Sequence, residues 1–195
     1  MAVELPELMV EDAGAWRSWL GRHHADSAGV WLVLAKKGTT EPTRLSYDEA
    51  LEEALCHGWI DGQLGRRDQV TYRQRFTPRG ARSRWSKRNV AIVERLTVEG
   101  RMHPAGLAAA EQARGDGRWE AAYAGSREIT VPDDLAIALR VNQAAQVMFD
   151  RLSSRNRYAL LYRIASAQRP DTRARRVAQF VGMLVRGETI YPQDG

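Results

Sequence analysis

The sequence predicts an α+β fold, in which an N-terminal antiparallel sheet with flanking helices is followed by an all-helical C-terminal region. Strand-like segments fall only in the first half of the chain, where two of them flank a polar connection of hairpin length. From Met102 onward, apolar residues recur at helical spacing. We therefore expect a sheet domain over residues 1–101 and a helical domain over residues 102–195.

Caps and periodicity define the first elements. Asp12 can cap a helix that repeats apolar residues at helical spacing from Trp16 onward. The continuous apolar run Val30–Ala35 predicts a strand that is buried on both faces. Ser46 and Glu49 form a capping box that opens the next helix, and Gly58 is placed to end it. Residues 40–45 are a candidate for a further strand.

The segments 59–64 and 70–76 predict a β-hairpin. Because side chains alternate between the two faces of a strand, one face would be a core face with Ile60, Tyr72 and Phe76. The opposite face would carry the polar set Trp59, Asp61, Gln63, Thr71, Arg73 and Arg75. An aromatic ring, a carboxylate and two guanidiniums on one face can stack on a ligand and bind it through forked donors. The alternative is a solvated face with cross-strand Asp–Arg pairs.

A helix with Val90, Val93 and Leu96 on one face follows the hairpin, and either Ser83 or Ser86 can cap it. A helix N-terminus favours anions. Positive residues nevertheless cluster around this one: Arg79, Arg84, Lys87 and Arg88. An anionic ligand or a neighbouring carboxylate would balance them, and the alternative is solvated charge near a loop.

The C-terminal half predicts several helices in succession. An Ala-rich segment over residues 105–114 is followed by the break Gly115-Asp116-Gly117. Pro132 begins another helix with acidic residues in its first turn. The last helix follows Pro170 and ends at Gly187.

Composition limits the classes of protein that fit. The chain has 195 residues, 44% of them hydrophobic, which is enough for a globular core. Its net charge of +5 makes nucleic acid or another anion a possible partner. Cys56 is the only cysteine, so the chain cannot form an internal disulfide. No apolar run of membrane-spanning length is present, and we expect a cytosolic protein.

Sequence signatures of catalysis and cofactor binding are absent. The four histidines lack metal-ligand spacing, and Gly58 and Gly62 do not form a phosphate loop. The sequence therefore predicts no metal site, no catalytic residue and no cofactor. Acid–base chemistry by Asp61 with Ser83 or Ser86 remains an alternative.

The chain resembles the YdeI/OmpD-associated, or bacteriocin-protection, family over nearly its whole length. The residues that carry the resemblance are Val30 through Lys37, Gly58-Trp59-Ile60-Asp61-Gly62, Arg75-Phe76-Thr77-Pro78-Arg79, Ser83 through Asn89, and Thr172 through Arg176. His57 departs from the family pattern, in which an aromatic residue is usual before Gly-Trp. The resemblance implies a YjbR/CyaY-like N-terminal domain and a small C-terminal helical module. The family has no established reaction, and its name suggests tolerance of toxic compounds.

Taken together, the residues favour a cytosolic, non-catalytic protein that binds a small anionic or planar polar ligand. The candidate binding residues are Trp59, Asp61, Arg73, Arg75, Arg79, Ser83, Trp85, Ser86 and Asn89. One alternative is nucleic-acid binding through the basic segment 66–101, with Trp59 and Trp85 as stacking platforms. The other is an enzyme that uses Asp61 and the arginines.

Overall fold

The structure is a computed structural model that describes residues 4–126, 128–167 and 169–193. The chain folds into two compact units, Met1–Ala122 and Tyr123–Gly195. All of the sheet strands in the described ranges belong to the first unit, and the second unit is helical. The predicted α+β fold class is confirmed.

A four-stranded sheet organises the first unit. Its strands are β1 (Glu7–Leu8), β2 (Val30–Ala35), β3 (Trp59–Arg66) and β4 (Thr71–Pro78), in the order β1-β2-β4-β3. β4 runs antiparallel to both of its neighbours, whereas β1 runs parallel to β2. The sheet is therefore mixed and not wholly antiparallel. Its extra strand lies at β1, and the described backbone forms no strand between residues 40 and 45.

The helices of the first unit are α1 (Ala13–His23), α2 (Tyr47–Cys56), α3 (Lys87–Val98) and α4 (Pro104–Gly115). Asp12 caps α1 by accepting a hydrogen bond from the backbone N–H of Ala15. The capping box of Ser46 and Glu49 opens α2 as predicted. Of the two serines that could cap α3, it is Ser86 that accepts from the backbone N–H of its first turn.

The core of this unit lies on one side of the sheet. Val30, Leu32 and Leu34 share a buried cluster with Trp16 of α1 and Leu51 of α2. These strand residues are alternate positions of β2, so they all point toward the helical layer. The remaining residues of β2 belong to the opposite face, where Val33 is also fully buried. The prediction that β2 is buried on both faces therefore holds at Val33.

Helix α4 packs inside the first unit, so the division between units falls after Ala122 and not after the predicted boundary at residue 101. A close approach explains this packing. A Cβ atom on Gly106 would lie 2.2 Å from the carbonyl oxygen of Cys56, which no side chain tolerates. Glycine therefore lets the first turn of α4 pack against the end of α2.

The second unit consists of α5 (Asp133–Arg140), α6 (Gln143–Asp150), α7 (Ser154–Ala165) and α8 (Pro170–Val185). Its own core includes Leu135, Phe149, Leu160, Ile164 and Phe180. An ion pair joins the first turns of α5 and α8. In this pair, Nε and Nη2 of Arg173 donate to the two carboxylate oxygens of Asp134, over 2.6 and 3.0 Å.

Candidate functional site

The register of the hairpin separates Asp61 from the two strand arginines. Asp61 lies directly opposite Phe76, a fully buried residue of the helix-covered face. Arg73 and Arg75 are odd-numbered neighbours of Phe76 on β4, so their side chains leave the other face of the sheet. The predicted shared face of Trp59, Asp61, Arg73 and Arg75 is therefore wrong.

Trp59 is a core residue. Its side chain is 1% exposed, and it meets the rings of Trp16 and Trp19 edge-on at centroid distances of 6.2 and 5.8 Å. The indole N–H donates to the carbonyl oxygen of His24 over 3.1 Å. Trp59 thus fills the helix-covered side of the sheet and offers no free ring to a ligand.

Asp61 belongs to a separate polar group at the edge of that covered side. It accepts a hydrogen bond of 2.9 Å from the hydroxyl of Tyr47. The guanidinium of Arg88 lies 5.3 Å from the centroid of the Tyr47 ring. Burial raises the pKa of the Tyr47 hydroxyl, and the charge of Asp61 raises it further. The hydroxyl therefore acts as a hydrogen-bond donor that orients Asp61.

The loop between the hairpin and α3 is fixed by its own contacts. Arg79 lies over the ring of Trp85, with its guanidinium carbon 3.6 Å from the ring centroid. Trp85 is 2% exposed and packs against Trp119 at a centroid distance of 4.8 Å. Arg79 also donates to the carbonyl oxygen of Arg84 over 3.2 Å. These contacts give Arg79 and Trp85 a structural role within the loop.

The remaining loop candidates also have partners inside the protein. Ser83 accepts a hydrogen bond from the backbone N–H of Gly80, and Ser86 accepts one from that of Asn89. Asn89 is itself 7% exposed. Arg88 pairs with Asp48 at 2.6 Å, so a neighbouring carboxylate balances part of the positive charge at the start of α3.

The structure brings Arg73 and Arg75 together with two residues that sequence reasoning missed. β2 places Trp31 directly opposite Arg75 and Val33 directly opposite Arg73. β1 places Glu7 beside Trp31. We call the set Glu7, Trp31, Arg73 and Arg75 the arginine face.

The two guanidiniums of the arginine face lie close to the sheet. Arg73 lies 4.9 Å from the centroid of the Trp31 ring. Two glycines of β3 lie next to the arginine side chains: an ideal Cβ on Gly65 would be 2.9 Å from Nε of Arg73, and one on Gly62 would be 3.4 Å from Nε of Arg75. The absence of a side chain at Gly62 and at Gly65 therefore lets both arginines lie along the sheet.

Both arginines of this face have an unsatisfied donor. Nε of Arg73 and Nε of Arg75 are buried and lack an acceptor among the described residues. Arg73 has a loose ion pair with Glu7, whose carboxylate lies 3.7 Å away. In the described ranges, the side chain of Arg75 makes no hydrogen bond or ion pair. A buried N–H without an acceptor costs about 1–3 kcal/mol, so an acceptor supplied by a ligand would be stabilising.

Trp31 was missed because it lies within an apolar run. A strand buried on both faces shows no alternation of polar and apolar residues, so the run itself gives no sign that one position is half-exposed. The available signal was parity across strands, since an antiparallel pairing of β2 with β4 sets Trp31 beside one of the two arginines.

Three histidines of this unit form a cluster without the geometry of a metal site. The rings of His57 and His103 stack at a centroid distance of 5.0 Å, and His24 lies 4.6 Å from His103. Stacked rings do not point their nitrogens at one ion. Among the described residues, no group of His, Cys, Asp and Glu side chains could hold a metal ion. Cys56 is buried, and burial raises the pKa of its thiol to about 11.

Within the described ranges, no helix combines the length and the apolar character needed to cross a membrane.

Comparison with known proteins divides the chain in the same way as the structure. Residues 128–187 match the family described as Bacteriocin-protection, YdeI or OmpD-Associated, and this match covers α5, α6, α7 and α8. Residues 8–109 match the family described as Domain of unknown function (DUF8412). The expected YjbR/CyaY-like N-terminal domain therefore gains no support. Neither the curated proteins nor the solved structures gave a significant match. The match over residues 8–109 contains Trp31, Arg73 and Arg75 of the arginine face. Because it spans just over half of the chain, the chain belongs to the family Domain of unknown function (DUF8412).

Proposed function

We propose that this protein binds a small anionic ligand with a planar polar group on the arginine face, without catalysing a reaction. The observation that carries the proposal is Arg75, a half-buried guanidinium with a buried Nε and no partner among the described residues. Burial of an unpaired N–H group lowers the stability of the folded protein, and a hydrogen bond to a ligand oxygen would offset that loss.

The chemistry of the face supports an oxyanion ligand. A guanidinium offers two parallel N–H donors, which match the two oxygens of a carboxylate. Trp31 is half-exposed directly opposite Arg75, so it can contact the apolar part of the same ligand. A charge-assisted hydrogen bond contributes about 1.5–3 kcal/mol, which corresponds to roughly ten- to a hundredfold in affinity.

The two alternative functions have less support. Nucleic-acid binding was expected to use Trp59 and Trp85 as stacking platforms, but both rings are buried. Arg95 and Arg101, in the same basic segment, pair with Glu52. An enzyme that combines Asp61 with the strand arginines is disfavoured because these groups lie on opposite faces of the sheet.

The match of the second unit suggests a biological setting. Its description mentions bacteriocin protection. Binding of an anionic compound by a cytosolic protein would be one route to tolerance of that compound, and we include this role in the proposal.

The experiment that tests the binding site is an NMR titration with benzoate, a planar monoanion. We expect Arg75→Lys to weaken benzoate binding about ten- to a hundredfold, because lysine keeps the charge but loses the planar fork. Arg22→Lys is the matched control, since Arg22 is exposed on α1, on the other side of the sheet. The Arg22→Lys protein should bind benzoate with the affinity of the wild-type protein.

Thermal unfolding of the same variants separates binding from folding. Arg75→Lys should melt within about two degrees of the wild-type protein, because the Arg75 side chain has no hydrogen-bond or ion-pair partner to lose among the described residues. Equal benzoate affinity in the wild-type and Arg75→Lys proteins, or no benzoate binding by the wild-type protein, would overturn the proposed function.

A further inference from the structure

Glu7 places a negative charge at the edge of the proposed ligand site. Its carboxylate accepts a hydrogen bond from Nε of Arg67 over 3.0 Å and lies 3.7 Å from Nη1 of Arg73. Glu7 is 39% exposed at its side chain, so it is held at the rim of the face and not in the core. It thereby offsets part of the charge of Arg73, and Arg75 is left as the guanidinium of this face that no carboxylate pairs with among the described residues.

Five charged residues that belong to the arginine face or are ion-paired to it carry one net positive charge. Arg67, Arg73 and Arg75 are positive, while Glu7 and Asp68 are negative and are both ion-paired to Arg67. One negative charge on a ligand would be matched by Arg75. A second one would have to be desolvated without a partner, beside the carboxylate of Glu7.

We propose that the site selects monoanionic, planar carboxylates and that Glu7 is the residue that enforces the selection against dianions. This inference rests on the proposed function, because it names the class of ligand taken by the same site. Glu7 acts as a specificity residue: it does not bind the ligand, and its charge decides how many negative charges the ligand can carry.

The shape of the site favours the carboxylate further. The Arg75 side chain lies along Gly62, where a Cβ would come within 3.4 Å of its Nε, and Arg75 as a whole is only partly buried. A flat carboxylate meets the guanidinium fork with both of its oxygens in one plane, whereas a tetrahedral oxyanion can place two oxygens there and leaves its remaining oxygens out of that plane. A ring attached to the carboxylate would extend toward Trp31, which is the cross-strand neighbour of Arg75.

Three probes that share one phenyl ring separate charge from shape. Benzoate is a planar monoanion, benzenesulfonate is a tetrahedral monoanion, and phenyl phosphate is a tetrahedral dianion at pH 8. Their affinities are measured by NMR titration at low ionic strength, where screening is weak. We expect the wild-type protein to bind benzoate most tightly and phenyl phosphate most weakly.

The decisive variant is Glu7→Gln, which keeps the size of the side chain and removes its charge. We expect it to raise the affinity for phenyl phosphate by about five- to fiftyfold, and the affinity for benzoate by a smaller factor. The reason is that the negative charge of Glu7 repels a dianion twice as strongly as a monoanion. Glu4→Gln is the control, because it removes an exposed carboxylate from the same segment and should leave the ratio of affinities unchanged.

Each negative result overturns a different claim about the site. If Arg75→Lys weakens benzoate binding but Glu7→Gln leaves the ratio of phenyl phosphate to benzoate affinity as in the wild-type protein, selection by Glu7 is overturned and the anion site stands. Benzenesulfonate binding as tightly as benzoate would overturn the selection for a planar group. If the wild-type protein binds none of the three probes, the proposed function falls, and this inference falls with it.

Discussion

Asp61 and Phe76 lie directly opposite each other in the hairpin, and this one pairing divides the polar residues of the two strands. Phe76 is buried against the helices, so Asp61 points to the same side and meets Tyr47 of α2. Arg75 is next to Phe76 in β4 and points to the opposite side, toward Trp31. The candidate site is therefore the arginine face, and its carboxylate is that of Glu7 and not that of Asp61.

A first prediction separates Trp59 from the ligand. Because Trp59 is buried between two other tryptophans, we expect Trp59→Phe to lower the free energy of unfolding by about 1–3 kcal/mol. Its affinity for benzoate should not change. Urea unfolding and NMR titration measure the two quantities. If Trp59→Phe keeps its stability but loses benzoate binding, Trp59 is part of the ligand site and the prediction is wrong.

A second prediction concerns the space beneath Arg73. A Cβ on Gly65 would also lie 3.3 Å from the Trp31 ring, so Gly65→Ala should push the Arg73 side chain off that ring. We expect benzoate affinity to fall about three- to tenfold. Stability should change by less than about 1 kcal/mol, because the displaced group is a flexible side chain. In Gly21→Ala, the added methyl group meets no neighbour within 4 Å, so this control should keep wild-type affinity.

A third prediction concerns Glu53, whose side chain is 3% exposed and binds two arginines. Arg17 and Arg101 donate to its carboxylate over 2.6 and 2.8 Å. We expect Glu53→Gln to lower the free energy of unfolding by about 1–3 kcal/mol, since both guanidiniums reach solvent and can be partly rehydrated. Glu94→Gln, on the exposed side of α3, is the control. An equal effect of the two substitutions would contradict a role for the buried pairs.

The pH dependence of this effect has a defined sign. Burial by itself raises the pKa of the Glu53 carboxyl, but hydrogen bonds from Arg17 and Arg101 outweigh it and hold the pKa below its usual 4.5. The folded protein therefore binds a proton at Glu53 less readily than the unfolded chain does. The stabilisation is present above about pH 4.5 and is lost as the pH falls through the folded pKa. The stability difference between the wild-type and Glu53→Gln proteins should narrow over that range.

A fourth prediction concerns the histidine cluster at neutral to mildly acidic pH. Burial lowers the pKa of His57 below its usual 6.5, and the neighbouring His103 and His24 lower it further. A hydrogen bond to the carbonyl oxygen of Glu53 acts in the opposite direction. Because the folded state takes up the proton less readily than the unfolded chain, stability should fall as the pH drops below about 6.5.

His57→Phe tests the origin of that fall. Phenylalanine can keep the stacking on His103 but cannot be protonated, so the slope of unfolding free energy against pH should decrease by at most about 1.4 kcal/mol per pH unit. The measurement is urea unfolding at several pH values between 5 and 8. His23→Phe removes an imidazole that is 42% exposed and serves as the control. Equal changes of slope in both variants would exclude burial of His57 as the cause.

Local features of this fold were predictable because short-range chemistry decides them. The capping box at Ser46 and Glu49 forms as expected, and Gly58 adopts a positive φ of 74° after α2. In β4, Phe76 points inward and Arg73 and Arg75 point outward, as the alternation predicts. In each case, residues within a few positions of one another determine the outcome.

The face of β3 was not predictable from alternation alone. Trp59, Ile60 and Asp61 place an apolar residue on either side of the strand, so the pattern does not decide which of the first two enters the core. The strand register then shifts between Asp61 and Leu64, which changes the parity of all later residues. Packing of Trp59 against Trp16 and Trp19 settles the choice, and those rings come from a distant helix.

The pairing of Glu7 with the site was also beyond sequence reasoning. Sixty positions separate Glu7 from Arg67 along the chain. β1 is only two residues long, so neither length nor periodicity marks it as a strand. It joins the sheet through parallel pairing with β2, a contact that depends on tertiary structure.

The proposed anion site depends on the unsatisfied Nε donors of Arg73 and Arg75, and NMR of the arginine Nε–H groups during a benzoate titration tests it most directly. We predict that the Nε–H signals of Arg75 and Arg73 shift with benzoate concentration. Their exchange with water should also slow, because the bound carboxylate places an acceptor close to both groups. The Nε–H signals of Arg22 and Arg17 should stay in place. If benzoate moves the signals of exposed arginines throughout the protein equally, or leaves those of Arg75 and Arg73 unchanged, the arginine face is not an anion site.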